Sequence, residues 1–134
     1  MIVVDANVIA YLWIPGEHSP LAEKILKKDS RWVVPVLWRS EFQSVLAGCL
    51  RQKKIDFPSA QKIMAAAEGF FKNREYQPSS LKVLDFIAQS SCSAYDCTYV
   101  ALADEFKLKL VTMDKAVLKE FPKITVAAED FASD

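Results

Sequence analysis

The chain is predicted to fold as a parallel α/β sheet with helices on both faces, and three observations carry that prediction. Short runs rich in β-branched residues, "IVV", "RWVVPVL" and "KLVT", alternate with longer stretches of helical periodicity. Strands separated by helices join most simply through right-handed crossovers, which makes the sheet parallel. Only three glycines occur, at 16, 48 and 69, so neither a GxGxxG turn nor a Walker-type loop can be built. The class is therefore α/β without a dinucleotide or P-loop nucleotide site.

The elements follow in order. Residues 2–4 read as a buried strand ended by Asp5, and Val8 to Trp13 as a short helix broken by Pro15 and Gly16. "SPLAEKILKK" restarts a helix: Ser19 can cap it, Pro20 suits the first helical position, and Leu21, Ile25 and Leu26 supply the apolar face. "RWVVPVL" is a second strand ending near Pro35. From Trp38 to Leu50 the residues Trp38, Phe42, Val45, Leu46, Cys49 and Leu50 repeat at helical spacing. "DFPSAQKIMAAAEGFFKN" is a further helix capped by Asp56 or Ser59, with Ile63, Met64, Ala67, Phe70 and Phe71 to pack. "EYQPSS" holds a very short strand before a helix carrying Leu81, Leu84, Phe86 and Ile87. "SAYDCTYVALADEFKLK" is helical with Tyr95, Tyr99, Leu102 and Phe106 along one face. "KLVTMD" is a strand, "KAVLKEFP" a short helix stopped by Pro122, and "ITVAAEDF" a last strand and tail.

Composition narrows the function. At 134 residues the length suits one domain, 1–134, large enough to bury a core. Lys plus Arg equals Asp plus Glu at 17 each, so the chain lacks the basic excess of a nonspecific polyanion binder. Cys49, Cys92 and Cys97 form neither an even set nor a CxxC pair, which predicts reduced thiols and a cytoplasmic location. His18 is the only histidine, which excludes a His/Cys zinc site and any Ser-His-Asp or Cys-His apparatus. The first apolar run is interrupted by Asp5 and Asn7, so neither a signal peptide nor a membrane span is expected.

Four carboxylates are distinguished by position. Asp5 ends the first strand, Glu41 lies about one turn into the helix after the second, Asp96 is early in the "SAYDCTYVALA" helix, and Asp114 follows "LVT". In an open parallel sheet the strand carboxyl ends and the following helix N-termini share one edge, where ligands bind. Carboxylates gathered there repel one another unless a cation compensates them. Without His or Cys partners the matching cation is hard and oxygen-seeking, Mg²⁺ or Mn²⁺, and the chemistry implied is phosphodiester hydrolysis. Each acid also has a plainer reading. Asp5 and Asp114 suit N-caps, Ser93 and Asp96 have capping-box spacing, and Glu41 suits a surface position. Caps alone do not require all four to share one edge.

"VVDANV", "PVLWRSEFQSVLAGCLR" and "SAYDCTYVALADEFKLKLVTMD" resemble, in order and spacing, the PIN-domain family, and within it the VapC-like toxin ribonucleases of toxin–antitoxin pairs. The resemblance spans nearly the whole chain. It implies a three-layer α/β/α fold with a short, mostly parallel central sheet, and metal ligation by Asp5, Glu41, Asp96 and Asp114 with polar support from Asn7 and Thr112. It further implies Mg²⁺ or Mn²⁺, RNA cleavage, a homodimer and a cognate antitoxin whose tail blocks the site. Two positions depart from the family pattern: Ser44 stands where relatives often carry asparagine, and Ala116 where some carry a further acid.

Arg39, Arg51, Lys53, Lys54, Lys72, Arg74, Lys115 and Lys119 are candidates for RNA phosphate contact, with Arg39 and Lys115 nearest the acids in sequence. Trp13, Trp32 and Trp38 are expected in the core or an interface, and Tyr95 and Tyr99 in packing. Two alternatives remain open at this point. One is a haloacid-dehalogenase-like phosphatase with Asp5 as nucleophile, although Asn7 replaces the second aspartate it needs. The other is a PIN fold kept as a non-catalytic binding module.

Overall fold

The computed structural model describes residues 1–133; residue 134, the last of the expected domain, lies outside them. The elements are β1 (Ile2–Val4), α1 (Ala6–Trp13), α2 (Ser19–Lys28), β2 (Trp32–Pro35), α3 (Trp38–Arg51), α4 (Phe57–Phe70) and β3 (Glu75–Tyr76). They continue with α5 (Ser80–Ala88), α6 (Ala94–Phe106), β4 (Leu110–Thr112), α7 (Lys115–Glu120), β5 (Thr125–Ala127) and α8 (Ala128–Ala132). The strands form one sheet in the order β3-β2-β1-β4-β5, and every pairing is parallel. The three-layer α/β/α architecture expected from the sequence is the one observed.

The strands are almost wholly apolar because both faces of the sheet are covered. Alternation then sorts their side chains into two cores. Ile2, Val4, Trp32, Val34 and Val111 face one way and pack with Val8, Ile9, Ile25, Trp38, Phe42 and Phe71. Val3, Val33 and Leu110 face the other way, against Cys97, Val100, Leu102, Val117 and Phe121. One layer is thus built from α1 to α4 with α8, and the other from α5 to α7. β1 is the central strand: Val3 pairs with Val33 on one side and with Leu110 on the other. Pro35 ends β2 opposite Tyr76, beyond the β1 pairing, so its missing N–H interrupts no bond of the central ladder.

Four expectations are corrected. Residues 128–132, read as tail, form α8, which starts with Glu129 and Asp130 in its first turn and packs against α2. The α5 stripe is shifted: Leu81 and Leu84 are 75% and 58% exposed, while Val83, Phe86 and Ile87 pack. Tyr95, placed with the packing residues of α6, is 61% exposed. Val45, placed on the apolar face of α3, is also exposed. α6 departs from a simple stripe because it is enclosed on two sides. It touches β1, β2 and β4 as well as α5, and Cys97 and every residue from Tyr99 to Ala103 are buried.

Trp32 and Trp38 are fully buried, and Trp13 packs edge-on against Trp32 and Phe70. None of the three is available to stack on a base. Among the described residues no helix is long and apolar enough to cross a membrane.

Candidate functional site

The carboxyl ends of β1 and β4 and the N-termini of α1, α3, α6 and α7 meet at one edge of the sheet. A solvent-open cleft of about 110 Å³ lies there, lined by Asp5, Asn7, Glu41, Asp96, Tyr99, Thr112 and Asp114 over an apolar floor of Leu110 and Val117. All four carboxylates singled out in the sequence therefore face one cleft. Both polar residues named with them, Asn7 and Thr112, face it too.

Each acid is fixed by local structure. Asp5 leaves β1 in extended conformation and caps α1, with Oδ1 accepting from the Val8 amide at 3.0 Å. Its Oδ2 accepts from the Thr112 hydroxyl and from the Met113 amide at 3.2 Å. Thr112 is buried, and its hydroxyl oxygen also accepts from the Asp114 amide at 3.0 Å, so one side chain spans the ends of β1 and β4. Asp114 caps α7, with Oδ1 accepting from Ala116 and Val117 at 2.8 and 3.1 Å. Ser93 caps α6 by accepting from the Asp96 amide at 3.0 Å, which sets Asp96 in the first turn. The capping roles are therefore real for Asp5 and Asp114, and Asp114 caps α7 through Oδ1.

Glu41 is held differently. It lies in the first turn of α3, and its Oε1 accepts from the Tyr99 hydroxyl at 2.7 Å. The plain surface reading of Glu41 fails here, because the residue is half-buried against α6. Tyr99 itself is 3% exposed and lies three residues after Asp96, one turn along the same face of α6. The sequence placed it with the packing residues. Its spacing from Asp96 was the available signal.

Burial pushes the Asp5 carboxyl above its ordinary range, and the charge of Asp114 adds to this. The bonds from Thr112, Val8 and Met113 oppose the shift. Glu41 is pushed up in the same way, first by burial and then by the charges of Asp96 and Asp5, against the Tyr99 bond. Tyr99 is raised well above the ordinary phenol range by burial and by Glu41, so it stays a neutral donor.

A raised carboxyl pKa makes a negative contribution to folding once the group ionises. The stability it offers is complete below the unfolded pKa and is lost as pH rises through the folded value. Glu41→Gln keeps an acceptor for Tyr99 but removes the charge. Without added divalent metal it is expected to raise the melting temperature by a few degrees at pH 7.5. The difference from wild type should vanish as the pH falls to about 4, where the wild-type carboxyl is itself largely neutral. Calorimetric scans across that range check this; a gain independent of pH would refute it.

No Lys or Arg is among the described residues that line the cleft. Arg39, a candidate for RNA contact, is turned instead to the far side of α3. Its guanidinium donates to both oxygens of Glu75, at 2.6 and 2.8 Å, and to Glu68. Lys115 is exposed next to Asp114 at the start of α7. As the side chains lie, no group of three or more Asp, Glu, Cys or His among the described residues converges as a ready-made chelate. Mutual repulsion and the separate hydrogen bonds of Asp5, Glu41 and Asp114 account for that spread. The donor chemistry nonetheless fits a hard divalent cation, since it is all oxygen and carries uncompensated negative charge.

The fold and the cleft define a parallel three-layer α/β protein with an acidic site at the carboxyl edge of its sheet. The PIN-domain profile matches residues 2–124, and the chain belongs to the PIN-domain family. The chain is similar to Ribonuclease VapC3 of Pyrobaculum aerophilum, with 28% identity over 126 residues covering 92% of this chain and 96% of that protein. Its fold is also similar to the crystal structure of PAE2754 from Pyrobaculum aerophilum. That likeness has a TM-score of 0.76 at 21% identity and covers 98% of this chain and 92% of the other. Membership of the PIN-domain family replaces the phosphatase alternative.

Proposed function

We propose that this chain is a metal-dependent endoribonuclease and the toxin of a VapBC-type toxin–antitoxin pair. The observation that carries the reading is the cleft itself: four carboxylates from four elements face one cavity whose described lining holds no basic residue. Like charges held together in this way are costly unless a cation or function accounts for them. The similarity to Ribonuclease VapC3 over most of both chains supports RNA as the substrate.

Asp5, Glu41, Asp96 and Asp114 would hold Mg²⁺ or Mn²⁺, which when bound activates water toward phosphorus and stabilises charge on the leaving oxygen. Asp5 and Asp114 are oriented by Thr112 and by the first turns of α1 and α7. Glu41 is oriented by Tyr99. Asn7, exposed at the rim, offers an amide to the substrate, and Lys115 offers a cation to a flanking phosphate. The apolar floor of Leu110 and Val117 keeps water from solvating the buried side of the acids. With no histidine in the cleft, the carboxylates are the only groups placed to accept a proton.

The reading extends to a cytoplasmic homodimer in which the domain acts with an antitoxin whose tail covers the cleft. Leu81, Leu84 and Tyr95 on α5 and α6 are each exposed, in keeping with a protein-covered face. The test is incubation of the purified chain with a panel of structured RNAs plus Mn²⁺ or Mg²⁺. Internal cleavage that stops on chelation by EDTA and returns with Mn²⁺ is expected. Folded protein that binds no Mn²⁺ and cuts none of the RNAs would favour the binding-module alternative instead.

A further inference from the structure

We infer that Tyr99 is a positioning residue for the acidic cleft: its hydroxyl fixes one oxygen of Glu41 so that the other is presented beside Asp96 at constant charge. The inference rests on the metal-binding reading of the cleft but assigns a residue that the four-acid pattern does not contain. Glu41 has three rotatable side-chain bonds and would otherwise sweep a wide volume. Tyr99 has two, and its ring is enclosed in the core of α6 with only 3% of its surface exposed. The 2.7 Å bond from its hydroxyl to Oε1 therefore transfers the rigidity of α6 to a flexible acid on α3.

The identity of the donor matters. A lysine or arginine at this position would hold Glu41 equally well, but its charge would cancel the attraction of the carboxylate for a cation. A phenol orients the carboxylate and leaves the full negative charge in place. Its location matters as well. Asp96 and Tyr99 are one turn apart on α6, so the same helix that carries one acid also sets the position of the next.

The test is Mn²⁺ affinity, read by electron paramagnetic resonance of free Mn²⁺, for wild type, Tyr99→Phe, Glu41→Gln and the double variant. Phe keeps the ring and removes only the hydroxyl. Affinity is expected to fall about tenfold in Tyr99→Phe, as loss of an orienting partner usually costs. It should fall no further when Tyr99→Phe is added to Glu41→Gln. Equal affinity in wild type and Tyr99→Phe overturns the inference. An undiminished Tyr99→Phe effect in the Glu41→Gln background also overturns it, because the effect would then bypass Glu41. Absence of Mn²⁺ binding by the wild-type chain is a different failure, of the metal reading itself. As a check that needs no variant to fold, the ¹³Cζ resonance of Tyr99 in the wild-type protein is expected to shift when Mg²⁺ is added. An unmoved resonance under Mg²⁺ saturation would count against the role.

Discussion

Asp96→Asn is expected to lower Mn²⁺-dependent RNA cleavage by about two to three orders of magnitude, the range seen when one preorganised electrostatic group is removed from a reaction site. Asp96 is the cleanest of the four acids to change. Its own amide, not its carboxylate, makes the capping bond to Ser93, so the helix start is untouched by the substitution. Asp5 is a less direct choice. Its carboxylate accepts from two backbone amides and one hydroxyl, and an asparagine there must turn its amide group toward a donor whichever way it is flipped. Asp5→Asn therefore mixes a chemical effect with a structural one, whereas Asp96→Asn should keep its circular dichroism and melting temperature. Single-turnover cleavage of one labelled RNA, compared at equal Mn²⁺, is the measurement. Activity within a few-fold of wild type would remove Asp96 from the site.

The largest effect on stability is expected at Trp38. Trp38→Ala should cost about 3–5 kcal/mol, as large aromatic truncations in packed cores do. That is a substantial part of the roughly 5–15 kcal/mol that holds a typical domain together. Trp38 is fully buried against Phe42 and Phe71, with ring centroids 5.9 and 4.8 Å away. Its indole N–H also donates to Glu75 at 2.6 Å, in the same carboxylate that receives Arg39. Truncation opens a cavity and strips a donor from that carboxylate at once. Trp38 is the first residue of α3, so loosening it also frees the turn that carries Glu41. Urea unfolding followed by circular dichroism checks the prediction, and a loss under about 1.5 kcal/mol would mean that the site collapses around the gap.

The layers were legible because periodicity encodes them directly. "IVV", "WVV" and "LVT" are too apolar for a one-sided sheet, so coverage on both faces followed from composition alone. The four acids were legible for a different reason: their positions just after strands or in first helical turns place them at one edge in any parallel α/β sheet. What escaped was whatever depends on a partner remote in sequence. α8 has no capping side chain and little length, and is held by packing against α2. Leu81 and Leu84 have the right spacing for an inward face, but Val83, Phe86 and Ile87 compete for the same helix and win. Arg39 is adjacent in sequence to the site and is directed away by Glu75, 36 residues later. Tyr99 looked like an ordinary core aromatic because its distinguishing contact, with Glu41, spans 58 residues.

The bond from Thr112 to Asp5 also spans almost the whole chain, its ends 107 positions apart. At about 5–20 residues per second, a ribosome needs several seconds to deliver the second partner after the first. During that interval β1 has β2 available but not β4, and Asp5 lacks both of its later donors. The acidic cleft thus waits for residues 112–114, well after its first acid has been made. A nascent or truncated chain ending before residue 110 carries three of the four acids but lacks the Thr112 and Met113 donors that hold Asp5.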